Sequence, residues 1–227
     1  MKLSTQTTRG TTKWAYGDAW ERHPIVAGVP WVDAESGSRV AVADLRDGVP
    51  DFMLDAEIIY TDSPWNAGNV NSFITKAGGL VERVRDFADF YTALFREIGR
   101  INPRVCYLEI GKQYLDVWRA EMVKQFPVVE VWPIFYYRKH GAFLVRGGDD
   151  LAPAQYTGMD DEFVPRVAVE AEGPGVVGDL CTGRGGTLIA AHLFGRPFVG
   201  TELNPRRLAV AIERAAHLGV DYRRDAT

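Results

Sequence analysis

Cysteine is scarce in this chain: Cys106 and Cys181 are the only two among 227 residues. Both lie in or beside apolar runs, which argues against a disulfide framework. With four scattered histidines they make no zinc set either, so no metal is expected and a reducing compartment is the simpler reading. Long apolar runs are also lacking. No segment reaches the roughly 18 apolar residues of a membrane span, and the polar, Thr-rich stretch from Met1 to Lys13 has no apolar signal core. A soluble, cytoplasmic protein without membrane contact is expected. Net positive charge is missing as well: the formal charge is −4, which excludes a global cation field and strong non-specific nucleic-acid binding. Any polyanion contact must come from a local patch.

What is present is ordinary globular composition, 46% hydrophobic and 25% charged, in a length that fits one domain with a proper core. Residues 1–38 carry Trp14, Tyr16, Trp20 and Trp31 without a clear period. They read as an irregular lead-in whose aromatics pack on the main body, the alternative being that they line a substrate cleft.

From residue 39 onward strands and helices alternate. Strands are expected over 39–44, 57–61, 104–110, 128–137, 142–145, 176–180 and 197–201. Pro133 demotes part of the fourth to an edge or a bulge. Helices are expected over 84–98, where Val84, Phe87, Tyr91, Leu94, Phe95 and Ile98 recur at three and four, and around Leu115, Trp118 and Met122. Others are expected over 160–172, 187–194 and from Pro205, with Asn204 as cap and Gly219 as stop. Residues 67–72 and 146–157 read as loops. The fold class that follows is α/β: one Rossmann-like domain, a mostly parallel seven-stranded sheet with an antiparallel hairpin, and helices on both faces.

Two stretches carry chemistry. In the first, the apolar run Glu57-Ile58-Ile59-Tyr60 ends in Thr61-Asp62-Ser63-Pro64-Trp65-Asn66, which puts an acid, a stiff Ser-Pro step and an indole where a strand leaves its sheet. Such edges hold ligands in open α/β proteins, although a Pro turn closing a strand would look the same. The second runs from Asp179 to Glu202: a short strand, the glycine turn Cys181-Thr182-Gly183-Arg184-Gly185-Gly186, a helix from Thr187, and a strand ending in Glu202. Glycines let a backbone approach a ligand, and a carboxylate after the next strand can bind two ribose hydroxyls; Glu202 follows Gly185 by about 17 positions, near the roughly 20 of dinucleotide sites. The turn lacks the third glycine of G-x-G-x-x-G, and no Walker lysine follows. A nucleoside without a diphosphate fits better, and S-adenosylmethionine is such a ligand, with Asp179 and the loop amides for its amino-acid end. Glycines serving packing alone are the bland alternative.

Asp179-Leu180-Cys181-Thr182-Gly183-Arg184-Gly185-Gly186-Thr187 with Gly195-Arg196-Pro197-Phe198-Val199-Gly200-Thr201-Glu202-Leu203-Asn204 resembles the cofactor pattern D-P-F-x-G-x-G-T and G-x-x-F-x-G-x-E-x-N of DNA amino-methyltransferases. Thr61-Asp62-Ser63-Pro64-Trp65 resembles their catalytic D-P-P-Y/W. The catalytic motif comes first and the cofactor motif last, as in the circularly permuted β class. The likeness covers residues 39–75 and 157–220, which implies a catalytic half over 39–146 and a cofactor half over 157–227.

The resemblance implies methyl transfer from S-adenosylmethionine to an exocyclic amino group in DNA, with RNA as the alternative substrate. Asp62, Ser63, Pro64 and Trp65 would be catalytic. Asp179, Cys181, Thr182, Gly183, Gly185, Gly186, Thr187, Glu202 and Asn204 would bind the cofactor. Asp44 stands where relatives place an acid near its adenine, or merely caps a turn. Ser63 replaces the usual proline, so the loop loses a φ restraint. Asp62, rather than the serine common in cytosine enzymes, points to adenine; cytosine-N4 is the alternative, and a SAM-binding but inactive partner module is a third reading.

Asn66, Gly68 and Asn69 are candidates for a lid over a flipped base. Arg138 and Lys139 with His140, and Arg206 and Arg207 with Arg223 and Arg224, are candidates for phosphates, although charge runs are usually solvated faces. Residues 146–157 are too short for a recognition domain, so specificity is expected to be loose, short, or supplied by a second subunit; a homodimer is the other partner arrangement considered.

Overall fold

The computed structural model describes residues 16–76 and 82–225; Trp14 lies outside them. In chain order the elements are α1 (Tyr16–Arg22), β1 (Trp31–Asp33), β2 (Ser38–Val42), β3 (Ile58–Asp62), α2 (Ala67–Lys76), α3 (Phe87–Ile101), β4 (Val105–Ile110), α4 (Leu115–Gln125) and β5 (Val128–Tyr136). They continue with β6 (His140–Gly148), α5 (Val164–Ala171), β7 (Val177–Asp179), α6 (Gly186–Leu193), β8 (Phe198–Glu202), α7 (Pro205–Ala216) and β9 (Tyr222–Arg224).

The strands form one sheet in the order β5-β6-β4-β3-β7-β8-β2-β1-β9. It therefore has nine strands among the described residues, not seven. It is also mixed rather than mostly parallel: β4-β3-β7-β8-β2 are parallel neighbours, while β5, β6, β1 and β9 join antiparallel. The two strands that sequence reasoning missed, β1 and β9, have three residues each. A run that short carries too little alternation to be seen, and here the pairing partners set it.

Side chains alternate across the parallel strands into two cores. Ile58, Tyr60, Val105 and Tyr107 point to the face covered by α1, α5, α6 and α7. Ile59, Cys106, Leu108 and Ile110 point to the face covered by α2, α3 and α4. Within α3, Phe87, Leu94 and Ile98 are essentially inaccessible, and burial of such a side chain contributes about 1.5–3 kcal/mol. Asp86 caps this helix by accepting a hydrogen bond from the Ala88 amide at 3.0 Å.

Two further expectations are corrected. Residues 67–72 are not a loop but the start of α2, because the Asn66 side chain accepts the Asn69 amide at 2.9 Å and Val70 and Ile74 share a buried face. The strand that was expected to stop at Val145 runs on to Gly148 as β6. Arg146 is buried within it, donating to Glu172 at 2.9 Å and to the Tyr107 hydroxyl at 3.0 Å. That paired cation is what lets a polar residue continue the strand inside the sheet.

Connections leave β3 toward β4 on one side and β7 toward β8 on the other, so the strand order reverses between β3 and β7. A crevice outside the carboxyl ends of strands opens at such a reversal. The two chemical stretches of the sequence are the two segments leaving these strands.

Candidate functional site

The segment leaving β3 and the segment leaving β7 are tied to each other. Thr61 donates its hydroxyl to Asp179 Oδ1 at 3.1 Å and accepts the Leu180 amide at 3.1 Å. Thr187 donates to the Tyr60 carbonyl at 3.3 Å. Residues about 120 positions apart therefore share one hydrogen-bond network.

Two cavities open here, and they meet at Asp62, Tyr136, Cys181 and Arg207. The larger, of about 310 Å³, is mostly apolar; it is bounded by Asp44, Glu202, Leu203, Phe73, Leu180 and the loop from Asp62 to Trp65. The smaller, of about 180 Å³, is polar; it is lined by the glycine turn, Asp179, Thr187 and Asp161 together with Arg166 and Arg214.

In the glycine turn, Gly183 has φ +58 and Gly185 φ +80, which a side chain would strain. Gly183 lines the smaller cavity and donates its amide to Glu202 Oε2 at 2.6 Å. Gly185 lines neither cavity: a Cβ there would come within 2.9 Å of the Ala211 Cβ, so this glycine serves the close approach of α6 to α7. Gly186 and Thr187 open α6 and line the smaller cavity. Thr182 is fixed by its amide to the Thr201 carbonyl at 2.8 Å.

Glu202 is held by two amides, Gly183 and that of Asn204, the latter on Oε1 at 2.9 Å. Each carboxylate oxygen keeps a further lone pair, so Glu202 can still accept hydroxyls from a ligand in the larger cavity. Asn204 stands behind it: it is buried, its side chain accepts the Arg206 and Arg207 amides as the cap of α7, and it lines neither cavity. Asp44 lines the larger cavity and also accepts the Arg46 amide at 3.0 Å and its guanidinium at 2.6 Å. It is thus a turn-capping residue and a cavity residue together.

Burial pushes the Asp179 carboxyl up from 3.8 to about 7, against hydrogen bonds from Cys181, Thr187 and Thr61 that favour its charged form; the nearby Asp62 charge pushes the same way as burial. Burial also raises the Tyr136 phenol, and the Asp62 charge adds to it, so the phenol stays a donor.

In the segment leaving β3, Asp62 is open to solvent, Ser63 is buried, and Pro64 and Trp65 line the larger cavity. The Trp65 ring meets the Tyr136 ring edge-on at 5.0 Å. It also lies against Gly111, where a Cβ would lie 3.0 Å from Trp65 Cε3. Asn69 lines the larger cavity, whereas Asn66 caps α2 and lines neither. Arg138 and Lys139 form the β5–β6 turn, at the same edge of the sheet, because β5 runs in the direction of β4.

Arg207 is not a surface cation beside Arg206. Its guanidinium lies 4.4 Å from the Phe73 ring centroid and lines both cavities, bringing α7 against α2. Arg223 and Arg224 lie on the edge strand β9, and Arg223 pairs with Asp221 at 2.6 Å. Sequence reasoning missed Phe73, Tyr136, Asp161, Arg166 and Arg214 as lining residues. Only Arg207 had a signal, being three positions past the Asn204 cap that follows Glu202.

Comparison with protein-family models gives no match, and comparison with curated protein sequences gives none. Solved structures do match. TTHA0409 of Thermus thermophilus, described as a DNA modification methylase, superposes at TM-score 0.54 with 20% identity over 79% of this chain and 94% of its own. Its complex with S-adenosyl-L-methionine gives TM-score 0.55 at 18% identity, over 79% and 93%. The M1.HpyAVI–SAM complex gives 0.52 at 13% identity, over 77% of this chain and 98% of its own. At these identities the likeness establishes a shared fold.

Proposed function

We propose that the chain is an S-adenosylmethionine-dependent methyltransferase acting on the exocyclic amino group of adenine in DNA, in the circularly permuted order of the β class. The observation that carries this reading is the meeting of two motifs. Asp62 and the glycine turn leave adjacent parallel strands at the reversal of strand order and open into the same pair of cavities. Two of the matching structures described above are complexes of that cofactor, one with a protein described as a DNA modification methylase.

The residues present suit the cofactor. The apolar cavity of about 310 Å³ with Glu202 and Asp44 on its wall suits an adenosine, and the polar cavity suits an amino-acid end. There the ammonium would face Asp179 and Asp161, and the carboxylate would face the α6 amides and Arg166. When bound, the cofactor supplies an electrophilic methyl group.

The chain's own contribution is to the amine. An exocyclic amino nitrogen is a poor nucleophile because its lone pair is delocalised into the ring. The Asp62 carboxylate and the Ser63 carbonyl accept its two hydrogens, which favours a pyramidal nitrogen and stabilises the positive charge that develops on it. Trp65, held between Gly111 and Tyr136, offers a face for the base, a contact worth about 1–3 kcal/mol in other nucleic-acid sites. The base must be unpaired or turned out of its duplex to reach this site. Residues 39–146 supply this catalytic half and residues 157–227 the cofactor half, after the lead-in of residues 1–38.

The test is incubation of mixed-sequence DNA, and separately RNA, with labelled cofactor, followed by mass analysis of the nucleosides. N6-methyladenine in DNA is expected. N4-methylcytosine or methylated RNA would move the substrate. Cofactor binding without any transfer would favour an inactive partner module.

A further inference from the structure

One exposed element stands on the rim of the site without a part in the chemistry so far. The turn joining β5 to β6 has Tyr137 and Arg138 at its centre, with φ 54 and 57, and closes through the Lys139 amide on the Tyr136 carbonyl at 3.3 Å. Both central residues lie in the left-handed region, where hairpin turns ordinarily place Asn and Gly. Two neighbouring carboxylates hold them there: the Arg138 amide donates to Asp160 Oδ2 at 2.7 Å, and the Tyr137 amide to Asp161 Oδ1 at 3.3 Å. Backbone kept in a disfavoured conformation by its surroundings is typical of functional sites.

What the turn presents is specific. Tyr137 is 44% exposed. Of the exposed large apolar side chains among the described residues, it is the one that lines a cavity of the site, the smaller one. Its ring abuts that of Tyr136 at 4.5 Å and 88°, and Tyr136 in turn abuts Trp65. Beside it Arg138 and Lys139 are exposed cations on a chain whose net charge is −4. A flat ring followed by two cations, fixed through Tyr136 beside Trp65, suits the gap that a displaced base leaves between its stacked neighbours and the phosphates next to that gap.

We propose that Tyr137 inserts into the duplex at the position vacated by the target base, with Arg138 and Lys139 on the flanking phosphates and Asp160 and Asp161 as positioning residues for the turn. This rests on the reading of the site as a DNA methyltransferase.

The test compares two substrates, a duplex and the same sequence with the target adenine opposite an abasic site, and measures kcat/KM for the wild type, Tyr137→Gly and Tyr137→Phe. Glycine removes the ring and suits the positive φ; phenylalanine keeps the ring. Tyr137→Gly is expected to lose at least about tenfold on the duplex, the scale of one lost base–aromatic stack. Most of that activity should return on the unpaired target, and Tyr137→Phe should stay near wild type on both. Equal losses on both substrates, or no loss on the duplex, would overturn the proposal. Absence of methylation by the wild type on either substrate would instead remove the reading of the site on which the proposal rests.

Discussion

The carboxyl ends of β3 and β7 lie side by side, yet they are held in different ways. Beyond β7 the chain is fixed from within: Asp179 accepts the Cys181 amide at 2.9 Å, Glu202 accepts the Gly183 amide, and Thr182 is locked to the neighbouring strand. These groups lie close to the turn in the sequence, while Thr61 of β3 and Arg214 of α7 add ties from farther away. Beyond β3 the loop is fixed from outside, by Gly111 after β4, by Tyr136 at the end of β5, and by α2, which Arg207 reaches from α7. A cofactor used in every turnover suits a preformed cradle. On the proposed reading, a loop that admits a base suits walls contributed by several elements.

Breaking the two ends separately should give separable defects. The largest expected effect is that of Asp62→Ala, which removes a hydrogen-bond acceptor for the amine. Transfer should fall by about 10²–10³-fold or more while cofactor affinity stays within a few-fold, measured by labelled methyl incorporation and calorimetry on the same preparation. Next comes Glu202→Ala, on the cradle side. It should weaken cofactor binding by roughly 10–100-fold, the scale of lost hydrogen bonds to a charged acceptor, and loosen the Gly183 amide.

The Asp179 carboxyl sharpens the comparison through pH. Its folded value of about 7 lies above the ordinary 3.8, so between these limits the folded state holds a proton that the unfolded chain has lost. Stability should therefore fall as pH rises from about 4 to about 7, by a few kcal/mol at most, and level off above. Asp179→Asn should flatten that slope in urea midpoints taken across the range. The charged form favours an ammonium, so cofactor affinity should rise as pH passes about 7.

The smallest expected effect is that of Gly183→Ala. It forces a Cβ into a left-handed residue, 2.7 Å from the Arg207 guanidinium. A stability loss of about 1–2 kcal/mol should appear in thermal unfolding, with weaker cofactor binding.

The same contrast explains what could be read from the chain. The arrangement of the turn after β7 was legible because its parts are close in sequence and glycine, carboxylate and cap each leave a local signature, from Gly183 through Glu202 to Asn204. The parallel centre of the sheet was legible for the same reason, since Ile58 to Tyr60 and Val105 to Leu108 are continuous apolar runs. The walls around Asp62 were not. Tyr136 and Phe73 look like any strand or helix aromatic until the fold brings them to Trp65 and Arg207, and Gly68 and Asn69 looked like loop until the Asn66 cap and the buried Val70 and Ile74 made a helix. Strands β1 and β9 exist through their partners, not through a pattern of their own. Gly185 shows the opposite lesson, a motif glycine whose contact is with Ala211 rather than with a cavity.

The central claim is that the ends of β3 and β7 serve one methyl-transfer centre. A crystal structure of the complex with S-adenosylhomocysteine tests it most directly. The account predicts the adenosine in the cavity of about 310 Å³ with its ribose on Glu202, the amino-acid end beside Asp179, and the sulfur facing Asp62. A ligand bound elsewhere, or seated in the cavity with its sulfur turned away from Asp62, would contradict it.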